Sequence, residues 1–204
     1  MAREHEKTVA ELLETYGTTY AQQAGITLRD KPSPLYRLLV LSTLLSTRIS
    51  ADIAVDAAIE LSRAGYRTPQ RMREASWQQR VDALGRGHYR RYDESTATRL
   101  GDGAELLLEE YRGDLRRLRE QAEDREGVLD LLQAFPGIGP TGAAIFVREV
   151  QGIWPELGPF LDAKALDGAR RAGLPEDVAA LDALIDPGDR PRLAAALVRV
   201  ALEG

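Results

Sequence analysis

Apolar residues recur three or four positions apart along nearly the whole chain, the spacing that gives an α-helix one buried face. The first such stripe runs from Val9 to Tyr20 and stops at Gly25, and similar stripes follow each later break. No segment alternates polar and apolar residues as a half-buried strand does, and no internal repeat is visible. The sequence therefore predicts an all-α protein.

Residues with helix-capping side chains mark where the helices begin. Ser33 followed by Pro34 predicts the start of a strongly apolar helix that should form the buried centre of the fold. Ser50, Thr68 and Ser76 predict the starts of the next three helices. Further helices are expected over residues 93–111, 114–123, 128–132, 163–172, 175–184 and 191–202, with one more after position 140.

The main information in the composition is the absence of cysteine and the small number of histidines. The 204 residues suffice for one large domain or two small ones, and none of them is cysteine. Disulfides, thiolate zinc sites, iron–sulfur clusters and cysteine nucleophiles are thereby excluded, and the absence of cysteine fits a reducing compartment. Because His5 and His88 are the only histidines, we expect neither a metal held by side chains nor a histidine-based triad.

Charge and hydropathy limit the partners that the chain could have. The formal net charge of −5 argues against a protein that coats nucleic acid, although a local basic face still acts within a Debye length of ~8 Å. No apolar stretch approaches the roughly 18 residues that a membrane span requires, and the charged N-terminus is unlike a targeting segment. We therefore expect a cytoplasmic protein that does not enter a membrane.

The segment from Phe135 to Gly139, with the sequence Phe-Pro-Gly-Ile-Gly, separates two helices and carries the main functional signal. Its two glycines permit a positive φ and a close approach of the backbone to a ligand. The N–H groups of Gly137, Gly139 and Thr141 would lie at the positive end of the following helix, where they suit a phosphate. Such a hairpin would hold a DNA backbone without reading its sequence. The alternative is an ordinary helix C-cap followed by a tight turn.

With this hairpin the chain resembles the helix-hairpin-helix DNA glycosylase superfamily, and in particular its endonuclease III-like members. The resemblance extends over roughly residues 34–174. Besides the hairpin it includes the segment Leu44-Leu45-Ser46-Thr47-Arg48-Ile49-Ser50, the turn Gly87-His88-Tyr89, and Trp154-Pro155 leading to Phe160-Leu161-Asp162.

The resemblance implies a two-domain, all-α fold. A six-helix domain would span residues 31–150 and contain the hairpin, and residues 1–30 with 151–204 would form a second helical domain. Duplex DNA would then lie over the groove between the two domains.

The resemblance assigns Asp162 as the catalytic carboxylate. Its task would be to stabilise an oxocarbenium-like sugar and to orient or deprotonate the attacking water, as carboxylates do in sugar hydrolases. The residue type alone favours a plain helix N-cap. Because the link after Trp154-Pro155 is longer than the resemblance leads us to expect, Asp167 is kept as a second candidate.

Bifunctional members of the superfamily carry a lysine just after the hairpin, and this chain has Thr141 at that position. The amine that would form a Schiff base and cleave the DNA backbone is therefore missing there. Lys164 is the nearest substitute, but residues two positions apart on a helix do not share a face, so we expect it to be solvated. The resemblance then implies a monofunctional enzyme without a 4Fe-4S cluster, in which the hairpin carbonyls could hold a monovalent cation.

Arg48 lies where relatives place a side chain that fills the gap left by a flipped nucleotide, and a guanidinium can stack on the orphan base. Basic and aromatic residues are interleaved over residues 86–92, as on a surface that contacts a nucleic-acid backbone. In both cases the alternative is ordinary solvated surface. The predicted DNA contacts are Pro136, Gly137, Ile138, Gly139 and Thr141 in the hairpin, together with Arg48, Arg86, His88, Arg90 and Arg91.

These observations predict a monomeric, nucleoid-associated glycosylase of base-excision repair. It would act on duplex DNA that contains a damaged base or an abasic site, flipping the base and hydrolysing its N-glycosidic bond. Two alternatives stay open: a bifunctional glycosylase and lyase that uses Lys164 or another amine, and a catalytically silent protein that binds damaged DNA. The lesion itself is not encoded in the helical periodicity.

Overall fold

The computed structural model describes residues 2–203, and in that range it contains α-helices, two short 3-10 helices and no β-strand. The prediction of an all-α protein is confirmed. The helices are α1 (Ala2–Tyr16), α2 (Tyr20–Gln23), α3 (Pro32–Leu45), α4 (Ala51–Arg63), α5 (Pro69–Glu74), α6 (Trp77–Arg86), α7 (Asp93–Tyr111), α8 (Leu115–Gln121), α9 (Arg125–Leu132), α10 (Pro140–Val150), α11 (Ala163–Arg171), α12 (Val178–Asp182) and α13 (Arg190–Leu202).

The chain forms two compact units. We call Gln23–Phe146 the continuous unit, and the segments up to Gln22 and from Val147 onward together the terminal unit. The sequence-based boundaries, after residues 30 and 150, lie later in the chain than the observed division at both points. Helix α10 contributes residues to both units.

The core of the continuous unit is built around α3, as its apolar sequence predicts. Leu35, Leu38, Leu41 and Leu44 of this helix are completely buried, and α3 packs against α4. The helix begins at Pro32 with Lys31 as its N-cap, so the prediction that Ser33 is the cap is wrong.

The start of α3 moves because proline fits the first turn of a helix, where its missing N–H is not needed. Ser33 lies inside that first turn, and its hydroxyl donates to the carbonyl of Arg67 at 3.0 Å.

The three other predicted caps of this unit are confirmed. The side chains of Ser50, Thr68 and Ser76 accept hydrogen bonds from the backbone N–H groups three residues later. At Ser76 the bond is reciprocal, because the side chain of Gln79 accepts from the Ser76 N–H at 2.8 Å.

The terminal unit is organised around α13, which packs against α1 and α11. Small residues allow the close packing of α11: a Cβ at Gly168 would lie 1.8 Å from the carbonyl oxygen of Leu197. Helix α12 starts at Val178, later than predicted, because Asp177 supplies its N-cap and Pro175 remains outside it.

Within residues 2–203, no helix combines the length and the apolar character needed to cross a membrane.

Candidate active site and nucleic-acid interface

The hairpin between α9 and α10 uses its two glycines differently. Gly137 has a φ of +86°, and a Cβ there would lie 2.9 Å from Cδ of Arg99. Gly139 has no positive φ, and the space that its Cβ would occupy is open. Gly137 therefore makes the turn possible, whereas Gly139 leaves the backbone accessible from outside.

Apolar side chains anchor the hairpin in the continuous unit. Phe135 and Ile138 are buried, and the Phe135 ring stacks on Tyr111 with 6.2 Å between the ring centroids. The N–H of Ile138 donates to the carbonyl of Phe135 at 3.0 Å. Ile138 therefore holds the hairpin in place and has neither a side chain nor an amide to present to a ligand, and Pro136 has no N–H to offer.

Three backbone amides of the hairpin are available. The N–H groups of Gly137, Gly139 and Thr141 have no hydrogen-bond acceptor within residues 2–203. Gly139 and Thr141 are exposed, and the carbonyl of Gly139 accepts the first hydrogen bond of α10, from Ala143 at 3.0 Å. These amides thus lie at the positive end of an 11-residue helix.

Two further predicted segments lie beside the hairpin. The Ser46 hydroxyl, just after α3, lies 3.2 Å from the carbonyl oxygen of Gly137. The Thr47 hydroxyl lies 2.9 Å from the hydroxyl of Tyr89. The segment that carries the exposed Arg48 is thereby tied to the hairpin on one side and to the turn after α6 on the other.

The basic residues around the turn after α6 do not all line the same surface. Arg86, His88 and Arg90 line an open groove, together with the carboxylates of Asp82 and Asp93. Arg91 is not among its lining residues, and its guanidinium lies 5.3 Å from the ring centroid of Tyr92. The groove therefore has mixed charge.

Arg99, on α7, is a basic residue that belongs to none of the motifs identified in the sequence. Its side chain packs beside Gly137, it is exposed, and it has no hydrogen-bond or ion-pair partner within residues 2–203. Nothing in the spacing of α7 shows that this position neighbours the hairpin, because the contact joins elements far apart in the chain.

Asp162, in the terminal unit, is the N-cap of α11, as the residue type alone indicated. Its Oδ1 accepts from the N–H of Ala165 at 3.0 Å, and its Oδ2 accepts from Nη1 of Arg148 at 2.6 Å. The Arg148 side chain is only 7% exposed, whereas that of Asp162 is 17% exposed. The carboxylate is thus held from two helices and still reaches solvent.

Gln151 fixes the backbone just before Asp162. This residue is buried, and its side-chain NH₂ donates to the carbonyls of Arg148 and Phe160 at 3.0 Å each. Its Oε1 accepts from the N–H of Phe160 at 2.9 Å. Arg148, in the last turn of α10, therefore binds the Asp162 carboxylate, and Gln151, directly after the helix, binds the backbone that leads to it.

Glu149, the neighbour of Arg148, is a buried carboxyl group with a different role. Its two oxygens accept from the N–H groups of Tyr20 and Ala21, at 3.1 and 3.0 Å, at the start of α2. Burial raises the pKa of Glu149, although these two hydrogen bonds and the nearby Arg148 and Arg199 oppose the change. Glu149 is therefore occupied in joining two segments of the terminal unit.

The structure also gives the positions of the lysines and of Asp167, the second candidate carboxylate. The sequence has three lysines, Lys7, Lys31 and Lys164. Lys164 is exposed, as expected, and its Nζ donates to the carbonyl of Ala201 at 3.2 Å. Asp167 pairs with Arg170 and Arg171 on the surface of its own helix.

Groups that could bind a metal are not evident. No cluster of three or more His, Cys, Asp or Glu side chains within residues 2–203 has a metal-binding arrangement. The sequence also lacks the cysteines that a 4Fe-4S cluster requires, so such a cluster does not fit this chain.

Comparison with known proteins identifies the fold. One similar structure is endonuclease III in a non-covalent complex with DNA, with a TM-score of 0.58 and 15% identity over 97% of this chain and 84% of that one. Another is endonuclease III trapped as a covalent intermediate with DNA in an estranged-adenine complex, with a TM-score of 0.54, 16% identity and the same coverage. No protein-family model and no curated protein sequence matches the chain. At this level of identity the likeness establishes the endonuclease III fold.

Proposed function

We propose that this chain, which has the endonuclease III fold, is a DNA glycosylase that removes a damaged base by hydrolysis. The observation that carries the proposal is the set of unpaired amides at Gly137, Gly139 and Thr141, which lie around the start of α10. The same fold occurs in structures that were solved with bound DNA. The duplex would bind through its backbone, and Asp162 would act on the sugar of the damaged nucleotide.

The hairpin is suited to a phosphodiester on physical grounds. Free N–H groups and the helix dipole both favour an anion at the start of α10. The open space beside Gly139 allows a phosphate oxygen to approach the amides, and the exposed Arg99 adds a positive charge next to them. None of these groups distinguishes one base from another, so they would position the DNA without selecting its sequence.

The chemistry assigned to Asp162 is that of a carboxylate facing a developing cation. When the N-glycosidic bond breaks, the base departs with the bonding electrons and the sugar becomes oxocarbenium-like. A water molecule adds to the anomeric carbon and loses its proton to the carboxylate, while the departing base takes up a proton. The 17% exposure of the Asp162 side chain is sufficient for contact with a ligand.

We further propose that water, and not an amine, is the nucleophile. Thr141 stands at the position where a lysine would form a Schiff base. Lys164 is bound to the C-terminal turn of α13, and Lys7 pairs with Glu11 at 3.6 Å. An abasic site should therefore be left intact as the product.

A catalytically silent protein that binds damaged DNA is the second candidate. The observation in its favour is that both oxygens of Asp162 already accept hydrogen bonds, from Arg148 and from Ala165. The two candidates share the hairpin and differ in whether a base is released.

A base-release assay over a panel of duplexes, each with a single lesion, tests the proposal. We expect release from at least one lesion, strand breaks that appear only after alkali, and no adduct trapped by borohydride. Asp162→Asn should lower the rate by about 100-fold or more, because a general base contributes at least that much. Asn is also a good N-cap, so α11 should keep its start. Asp167→Asn is the matched control and should retain the wild-type rate.

Each contrary result has a distinct meaning. Tight binding to an abasic duplex without release from any lesion favours the silent protein. A borohydride adduct that disappears in Lys164→Ala favours the bifunctional enzyme. Release that persists in Asp162→Asn but is lost in Asp167→Asn transfers the assignment to the second carboxylate.

A further inference from the structure

Arg148 is a buried cation whose side chain reaches the candidate catalytic carboxylate. An arginine cannot shed its charge inside a protein, so a side chain that is 7% exposed needs an acceptor within reach. Its Nη1 donates to Oδ2 of Asp162 at 2.6 Å. The adjacent carboxylate of Glu149 already accepts from two backbone amides, so Asp162 is the acidic side chain to which Arg148 is bound.

The two donors that hold Asp162 come from different helices. Ala165, in the first turn of α11, fixes Oδ1, and Arg148, in the last turn of α10, fixes Oδ2. A single cap bond would leave the carboxylate free to rotate about that contact. Two bonds, one to each oxygen, set both its position and the direction of its plane.

From this geometry we infer that Arg148 is a positioning residue for base release, acting through Asp162, an inference that rests on the proposed function. Each carboxylate oxygen can accept more than one hydrogen bond, so the pair with Arg148 leaves acceptor capacity for a water molecule. Displacement of a catalytic group by about 1 Å can reduce a rate by roughly 100-fold. Arg148 prevents such a displacement.

The surroundings of the pair support a role in precise placement. Gln151 follows Arg148 by three residues, and the two polar atoms of its side-chain amide bind the backbone of Phe160: Nε2 donates to the carbonyl and Oε1 accepts from the N–H. A Cβ at Gly158 would lie 2.9 Å from Oε1 of Gln151, so the segment before Asp162 packs closely against this side chain. The carboxylate and its backbone are thus fixed by two side chains three residues apart, Arg148 at the end of α10 and Gln151 directly after it.

Arg148→Met and Arg148→Lys test the inference. Methionine keeps much of the volume and removes the donor, whereas lysine keeps a charged donor that can reach Oδ2. We expect Arg148→Met to lower kcat by about 100-fold, with little change in KM or in the Kd for a duplex with a tetrahydrofuran abasic-site analogue. Arg148→Lys should recover at least part of kcat, and guanidinium ion should partly restore Arg148→Ala.

Loss of a buried charge partner also destabilises a fold, so the assay needs a control for folding. Arg80→Met removes another buried cation, in the continuous unit, where Nη1 of Arg80 donates to the carbonyls of Met72 and Ala75 at 3.0 and 2.8 Å. All variants are compared below their unfolding midpoints, with the folded fraction measured by circular dichroism. Arg80→Met should keep the wild-type kcat.

The outcomes separate the inference from the proposed function. A wild-type kcat in folded Arg148→Met, or equal losses in Arg148→Met and Arg80→Met, overturns the inference alone. A loss that appears only in KM also overturns it, because a positioning residue acts on the chemical step. Absence of base release by the wild type on every lesion overturns the proposed function and this inference with it.

Discussion

Gly137 and Gly139 lie two positions apart in the hairpin, in different surroundings. At Gly137 the backbone is left-handed, and both Arg99 and Thr43 crowd the position that a Cβ would take. At Gly139 there is no crowding from the protein. A side chain at the first position would therefore disturb folding, and one at the second would obstruct only what approaches from outside.

Substitution of the two glycines should separate stability from binding. Gly137→Ala is expected to lower the free energy of unfolding by at least about 1–2 kcal/mol, because a residue with a Cβ is strained at positive φ. Gly139→Val should leave that free energy nearly unchanged. It should weaken binding to an abasic duplex by about 10- to 100-fold, equivalent to one lost charged hydrogen bond of roughly 1.5–3 kcal/mol. Urea denaturation and fluorescence anisotropy measure the two effects, and equal binding by Gly139→Val and wild type would exclude the hairpin as the phosphate site.

Single residues of the candidate site differ in how far the sequence predicted them. Asp162 was selected because Phe160-Leu161 before it and the hairpin upstream carry the resemblance, whereas its residue type alone indicated an N-cap. Arg148 and Arg99 were not selected, since each acquires its proposed role from a contact that the local sequence pattern does not show. Ile138 was expected at the interface with DNA, but it is buried. A hairpin motif in a sequence therefore does not show which of its side chains are exposed.

At the scale of helices, the reliable signals were local ones. Ser50, Thr68, Ser76 and Asp162 all cap helices at the expected places, because a cap needs only the three residues that follow it. The starts of α3 and α12 differ from prediction, since Pro32 and Asp177 offered competing starts nearby. The pairing of helices depends on side chains from two segments, and single-sequence periodicity does not encode it.

Helix α2 has four residues and depends on α10 for its stability. A helix this short is not stable in isolation. The Glu149 side chain accepts the N–H groups of Tyr20 and Ala21, which begin α2. The junction between α2 and α10 should therefore respond to the ionisation of this buried carboxyl group.

Glu149→Gln should reveal that response as a dependence on pH. Burial raises the pKa of Glu149 in the folded state above its value of about 4.3 in the unfolded chain, so the folded state binds more protons. Its contribution to stability is then fully present below the unfolded value and decreases as pH rises through the folded one. The free energy of unfolding of wild type minus that of Glu149→Gln should therefore fall as pH rises above the unfolded value of about 4.3.

Urea denaturation at several pH values measures this difference. Glu109→Gln, which removes an exposed carboxyl group on α7, is the matched control for the loss of a carboxyl group at the surface. A constant or rising difference for Glu149→Gln would contradict the sign assigned to Glu149.

At the scale of the whole molecule, a net charge of −5 coexists with five exposed basic candidates on the continuous unit. These are Arg48, Arg86, Arg90, Arg91 and Arg99. The hairpin itself contributes amides, which would bind phosphate without releasing counterions. DNA affinity should therefore depend on salt less steeply than in proteins that bind through many cations.

The expected slope of log K against log salt concentration is no steeper than about −4.5, the value for five phosphate contacts. Arg99→Ala should reduce its magnitude by about one, because it removes one phosphate contact. Arg73→Ala, an exposed arginine of α5 that pairs with Glu105, is the control and should leave the slope unchanged. Titration of an abasic duplex at several salt concentrations gives the slope, and an unaltered slope in Arg99→Ala would remove this residue from the interface.

Much of the overall fold could be predicted from the sequence. Helical periodicity, the hairpin glycines and the Trp154-Pro155 signal led to the endonuclease III fold, although the solved structures share only 15–16% of their residues with this chain. The boundaries between the two units were less accessible, since α10 runs through one of them without a break in its sequence pattern.

Gly168 links the packing of the terminal unit to its proposed chemistry. Even a methyl group at this position would meet the backbone of Leu197, so alanine there must drive α11 away from α13. Asp162 begins α11 and would be carried along, out of reach of an arginine that stays behind on α10. The alignment of the carboxylate proposed to act on the sugar thus depends partly on the absence of a side chain six residues later in the chain.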